Sequence, residues 1–190
     1  MAKSLQVVMI DGVADWEIGP VLPAAREWFG DDVAIASIDG RPLTSIGGVT
    51  IAPAAALAQL DPLAADLWVL PGSDRWLDGE IEALSNALRS RRAAGKPIAA
   101  ICGATVALAH AGLLDGVVHT SNSRDFLREN AAGYRGAVHY QDAKVASEDR
   151  IVTAPGTSPV SFAIECLRLL HPGQDDMLSQ TRAMFAGEFA

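Results

Sequence analysis

The sequence is short of the residues on which secreted, membrane and nucleic-acid-binding proteins rely. Only two cysteines, Cys102 and Cys166, occur in 190 residues. They could close one bridge at most, and nothing points to an oxidising compartment, so both read as thiols of a cytoplasmic protein. Cations are also scarce: 15 Lys and Arg against 23 Asp and Glu leave a net charge of -8, which disfavours binding to nucleic acid. The densest basic cluster, Arg89, Arg91 and Arg92, reads as a solvated helix face. No run reaches the roughly 18 apolar residues of a membrane span. The first apolar stretch, Leu5 to Ile10, contains Gln6 and ends at Asp11 and Gly12, so no secretion signal is expected. Asp11-Gly12-Val13-Ala14 does not fit the Gly-rich phosphate fingerprint, and no nucleotide cofactor is expected. The four histidines lack ligand spacing and no cysteine pair exists for zinc, so no metal is expected either.

Apolar residues, by contrast, make up 49% of the chain, enough for a full core without disulfide or metal, and residues 1–190 read as one domain. There is no internal repeat. Short apolar runs alternate with helical patterns. Strands are predicted at Leu5–Ile10, Val33–Ile38, Asp66–Leu70 and Ile98–Ile101, with weaker ones near Val117–Thr120, Ala137–Tyr140, Lys144–Ala146 and Ile151–Thr153. Helices are predicted at Trp16–Phe29, through the stripe Ile81, Leu84 and Leu88 to Gly95, and at Gly103–Ala111, Ser158–Leu170 and roughly Asp175–Phe185. Such alternation implies an α/β three-layer sandwich, a mostly parallel sheet with helices on both faces. Ligands of these sheets collect at the carboxyl ends of the strands. Four segments lie just beyond strand ends: Asp11–Glu17, Pro71-Gly72-Ser73, Cys102-Gly103 and Ala154-Pro155-Gly156. A parallel sheet would bring them together.

Cys102 follows a strand directly and precedes a helix directly. A residue at so sharp a turn is pushed above the sheet. It also faces the amino end of the helix, where unpaired N–H groups favour an anion, so a thiol that ionises easily is expected. The plainer reading of Cys102 is a small space-filling hydrophobe. Cys166 lies on the inward stripe of its helix and takes that reading.

The segment Ala99-Ala100-Ile101-Cys102-Gly103-Ala104-Thr105, together with Ala111–Gly116 and Thr120-Ser121-Asn122 after it, resembles the ThiJ/PfpI superfamily. Asp15-Trp16-Glu17, Val69-Leu70-Pro71-Gly72 and Ile151–Gly156 extend the likeness over roughly Gln6 to Leu170. The resemblance implies a flavodoxin-like, class I glutamine amidotransferase-like fold and a homodimer. It also implies an acid beside the nucleophilic cysteine, and Glu17 is the residue that matches. Two anions in contact repel, so a thiolate and a carboxylate in a dry site would hold one proton between them. Without the resemblance, Glu17 reads as a solvated glutamate in a first helical turn, and Asp15 as that helix's cap. Backbone N–H groups of Gly72, Ser73 and Gly103 are candidates to stabilise an oxyanion. The family usually has a second glycine where this chain has Ser73, whose side chain either narrows the pocket or adds a hydroxyl.

A histidine base is what the pattern lacks. PfpI-type proteases carry one directly after the cysteine, where this chain has Gly103, and many relatives carry one where this chain has Asn122. Asn122 cannot shuttle protons. His119, three residues earlier, either reaches the pocket or bonds to backbone at a strand end. The other histidines read as surface or helix-end residues. These residues point to a cysteine-dependent enzyme acting on a small electrophile, a carbonyl, amide or isonitrile. Cys102 would be its nucleophile, Glu17 its proton partner, and His119 or Asn122 an accessory. The alternative is a non-catalytic redox sensor or stress-response protein in which Cys102 is reversibly oxidised.

Overall fold

In the computed structural model, which describes residues 2–187, the chain forms seven pairing strands in one sheet plus a small hairpin. The strands are β1 (Ser4–Met9), β2 (Asp32–Ser37), β3 (Leu43–Thr44), β4 (Thr50–Ile51), β5 (Ala55–Ala56), β6 (Leu67–Leu70), β7 (Ile98–Ile101), β8 (Ala146–Glu148) and β9 (Ile151–Ala154). The sheet order is β5-β2-β1-β6-β7-β9-β8, parallel throughout except that β8 runs antiparallel to β9. The expected three-layer, mostly parallel architecture is what forms. The β8–β9 turn places Asp149 and Arg150 at φ 49 and 64, the twist that a two-residue hairpin requires.

Side chains alternate along the central strands, which is why one strand can serve two cores. Trp68, Leu70, Ile98 and Ala100 face the core beneath α3 (Glu82–Ala93), α4 (Thr105–His110) and α5 (Arg124–Asn130). Leu67, Val69, Ala99 and Ile101 face the other core, covered by α1 (Asp15–Ile18), α2 (Val21–Pro23), α6 (Pro159–Leu170) and α7 (Asp175–Ala186). Cys166 is fully buried on the inward stripe of α6, as its spacing indicates.

Several local expectations need correction. The helix read over Trp16–Phe29 is three pieces: α1, α2 and a π-helical turn at Ala24–Trp28. Pro20 and Pro23 remove two backbone donors from that stretch, so one α-helical ladder cannot run through it. Val117–Thr120 and Ala137–Tyr140 are not strands; they share one bridge, His119 with Tyr140, and Gly136–Val138 is a 3-10 turn. Arg91 is not solvated. It is fully buried, donates to the carbonyls of Pro62, Ala65 and Pro97, and stacks over Trp68 at 5.0 Å. His171 does end α6, but it is buried, with Nε2 2.7 Å from the Asp31 carboxylate.

Candidate active site

The four segments beyond the strand ends do meet, and the meeting point is Cys102. Its φ is 59, a left-handed conformation that costs a non-glycine residue of order 1 kcal/mol or more. The turn from β7 therefore lifts the side chain off the sheet before a 3-10 turn, Cys102–Ala104, leads into α4. Thr105 Oγ1 donates to the Cys102 carbonyl at 2.7 Å and lies 2.7 Å from Ser121 Oγ, which ties the turn to the segment carrying Asn122. Only glycine fits after the cysteine, because a Cβ on Gly103 would stand 2.6 Å from the Ser73 carbonyl oxygen.

Glu17 reaches the site from α1 and is fully buried. Gly72 bonds this segment twice: the Ala14 N–H, just before α1, donates to the Gly72 carbonyl at 2.9 Å, and the Gly72 N–H donates to Glu17 Oε2 at 2.6 Å. The other carboxylate oxygen, Oε1, has no hydrogen-bond partner and lies on the sulfur's side of Gly156, where a Cβ on that glycine would stand 3.1 Å from Oε1. Gly72 and Gly156 close over this pair. A Cβ on Gly72 would come 2.7 Å from both Cys102 Cβ and Glu17 Oε2, and one on Gly156 would come 2.8 Å from Sγ.

Burial sets the charges. Desolvation pushes the Glu17 carboxyl up to about 7, against the pull of the Gly72 N–H and the Cys102 side chain. Burial, and then the negative charge of Glu17, also push the Cys102 thiol up, outweighing donation from Asn122 and Gly103. The expectation of an easily ionised resting thiol is thus corrected. The helix terminus is real, but two acids in one dry pocket compete for a single negative charge.

The remaining sequence candidates sort by distance from the sulfur. Asn122 is at the site: Nδ2 donates to Sγ at 3.3 Å, and Oδ1 accepts from the Gly156 N–H at 3.0 Å. His119 is not. It is fully buried, with Nδ1 2.8 Å from the Val117 carbonyl and Nε2 2.5 Å from the Tyr134 hydroxyl. Of the three candidate oxyanion donors, the Gly72 N–H is spent on Glu17, which leaves those of Ser73 and Gly103. The Ser73 hydroxyl neither narrows the pocket nor serves it; it donates to the Asp11 carbonyl and accepts from the Arg75 N–H. Asp15 caps nothing in α1, whose cap is Ala14 without a side-chain bond; its carboxylate accepts from the Gly47 N–H in the β3–β4 hairpin. Among the described residues, no group of three His, Cys, Asp or Glu could hold a metal ion.

Residues 3–169 match the DJ-1/PfpI family, nearly nine-tenths of the chain. The chain belongs to the DJ-1/PfpI family. A Bacillus subtilis (strain 168) protein named "Uncharacterized protease YoaZ" is 31% identical over 183 residues, which cover 93% of this chain and 87% of that one. A DJ-1 superfamily protein from Agrobacterium tumefaciens shares 34% identity and a TM-score of 0.88 over 100% of both chains. A thiJ/pfpI family protein from Bacillus anthracis shares 28% identity and a TM-score of 0.86, over 96% of this chain and 90% of that one.

Two contributors to this DJ-1/PfpI site escape a reading by residue type. Trp16, 52% exposed, donates its indole N–H to the Gly156 carbonyl at 3.2 Å. Thr120 is fixed by its N–H to Thr153 Oγ1, and this anchors the strand-end segment that presents Asn122. The sequence signal for each is its place inside a motif of the resemblance, Asp15-Trp16-Glu17 or Thr120-Ser121-Asn122.

Proposed function

We propose that this DJ-1/PfpI protein is a cysteine-dependent enzyme that adds Cys102 to the carbonyl carbon of a small electrophile, with Glu17 as its one proton carrier. The observation that carries the reading is a buried carboxyl, held near neutrality by desolvation, packed against the same two glycines, Gly72 and Gly156, as a sulfur at a strained turn. A general base works best when its pKa lies near the working pH. Glu17 takes the thiol proton as sulfur attacks. A C–S bond forms, the carbonyl π pair moves to oxygen, and the proton returns from Glu17 to that oxygen. The Ser73 and Gly103 N–H groups are the donors assigned to the developing negative oxygen.

No group leaves in this addition. In the adduct of an α-oxoaldehyde, Glu17 then moves the hydrogen of the sulfur-bearing carbon, as a proton, to the neighbouring carbonyl carbon, and water cleaves the resulting thioester to a 2-hydroxy acid and the free thiol, so one proton carrier suffices. Amide hydrolysis needs a protonated leaving amine as well, and among the described residues no histidine hydrogen-bonds to the sulfur. The word protease in the name of the Bacillus subtilis relative therefore does not transfer to this chain. The alternative reading, reversible oxidation of Cys102 in a redox sensor, predicts sulfenic acid at Cys102 after mild peroxide with no turnover of any electrophile. The two thiols stand unpaired, which suits the cytoplasm. The working form is assigned as a homodimer, which light scattering would read as twice the chain mass.

The test is steady-state turnover of a panel of α-oxoaldehydes, simple amides and an isonitrile. The oxoaldehydes should turn over, with loss of at least about a hundredfold in Cys102→Ser and Glu17→Gln. Turnover of amides alone, or activity surviving Cys102→Ser, would sink the reading.

A further inference from the structure

The Gly156 peptide is held from both sides by side chains that have no step assigned to them above. Its N–H donates to Asn122 Oδ1 at 3.0 Å, and its carbonyl accepts from Trp16 Nε1 at 3.2 Å. Between those bonds the glycine lies against the sulfur, too close for any Cβ. A carboxamide presents oxygen and nitrogen in nearly the same shape, and its orientation is set by its partners. A backbone N–H can only donate, so the Asn122 atom facing Gly156 must be oxygen. The NH2 group, by elimination, faces Sγ at 3.3 Å.

We infer that Asn122 is a catalytic residue of the Cys102 site, a hydrogen-bond donor to sulfur whose orientation is locked by the Gly156 peptide. This rests on the reading of Cys102 as the reacting atom. The donor favours an anionic sulfur, so it opposes the burial and the Glu17 charge that hold the thiol protonated. It also accounts for a reactive cysteine with no histidine beside it. Asn122 stabilises the charge that forms as the proton leaves, and carries no proton itself. The Thr120 and Ser121 contacts to Thr153 and Thr105 fix the backbone from which it reaches, while the side chain itself stays exposed at the mouth.

The ionisation midpoint of Cys102 in Asn122→Ala separates this role from a purely structural one, because loss of a tie to Gly156 alone leaves it unmoved, whereas a carboxylate in Asn122→Asp also repels the thiolate and should raise it further. In Asn122→Asp, Oδ1 still accepts from Gly156, but no donor faces the sulfur, and an aspartate at this exposed position stays ionised at neutral pH. The experiment follows alkylation of Cys102 by iodoacetamide across pH, read by intact mass, in the wild type, Asn122→Asp and Asn122→Ala. Thermal unfolding of each serves as the folding check, and Cys102→Ser serves as the blank for buried Cys166. Both variants should lose at least about tenfold in rate at neutral pH, the size expected for a bond to a charged group, with the midpoint of ionisation moved upward. An Asn122→Ala profile that superimposes on the wild type, or one lowered at every pH with its midpoint unmoved, would overturn the inference and leave Asn122 as a tie for Gly156. The readout does not depend on turnover, so this failure is distinct from failure of the carbonyl panel. A wild-type Cys102 that resists alkylation at every pH would overturn both.

Discussion

Glu17 is where burial and charge conflict most directly, and the conflict has a measurable sign. Its carboxyl is raised from 4.5 to about 7 in the fold, chiefly by desolvation. A group raised in this way adds stability that is fully present below its unfolded pKa and is lost as pH climbs through its folded one. Between pH 4.5 and about 7 the protein should therefore lose about 3 kcal/mol from this residue alone. In Glu17→Gln the side-chain carbonyl still accepts from Gly72, and an uncharged NH2 replaces the unpartnered Oε1. The variant should be flatter in denaturation midpoint from about pH 5 to about pH 8, and more stable than the wild type at the upper end. Parallel pH curves for the two proteins would mean that the carboxylate is solvated. Both Glu17 and Cys102 are legible in the sequence, because the strand–turn–helix pattern and the family motifs fall on them. The direction of the thiol's shift is not, since an adjacent helix terminus is visible in the order of residues and the desolvation of two acids in one pocket is not.

At the level of elements, what could be read was what depends on local pattern. The strands β6 and β7 are continuous apolar runs, β1 and β9 are nearly so with Gln6 and Thr153 set among apolar residues, and all four are buried on both faces and stand where those runs stand. The hairpin Leu43–Ile51 and the two-residue β5 went unread because long-range bonds hold them, whereas α5 went unread although Ser123 caps it locally by accepting from the Phe126 N–H. Gly12 N–H to Thr44, Thr44 N–H to Asp11 and Ile46 N–H to Val13 dock the hairpin, and no periodicity announces them. Arg91 failed for a related reason: a helix-face pattern cannot show that three loop carbonyls wait on the buried side. Burial lowers its guanidinium to about 10, so it stays charged at neutral pH. Among the described residues no carboxylate lies within ion-pair distance of it, and carbonyls and the Trp68 ring do the compensating. Arg91→Met would strand the carbonyls of Pro62 and Pro97, and Arg91→Lys would offer a point charge in place of a planar fork. Each should cost about 3 kcal/mol or more, a fall in melting temperature of roughly 6–12 °C for a chain of this size. A loss under about 1 kcal/mol in both would show that the loop at residues 61–66 is held by other contacts.

At the scale of the whole molecule, the site is a meeting of distant segments at the carboxyl ends of the parallel strands: residues 13–17, 71–73, 102–105, 120–122 and 154–156. The chain around it carries a net charge of -8, and the nearest titratable partner of the sulfur is another acid. A field of that sign repels anionic reagents before contact and leaves neutral ones unaffected. Iodoacetamide and iodoacetate deliver nearly the same carbon to sulfur and differ by one negative charge. The neutral reagent should therefore outpace the anion at Cys102 by about tenfold more than it does with a cysteine peptide in the same low-salt buffer. The long-range part of that gap should shrink as the Debye length falls from about 30 Å at 0.01 M salt to about 3 Å at 1 M. The remainder at high salt would measure Glu17 itself, too close to be screened, and should disappear in Glu17→Gln. If iodoacetate instead reacts as fast as the amide, then cations govern the mouth, and the substrate to look for bears a carboxylate.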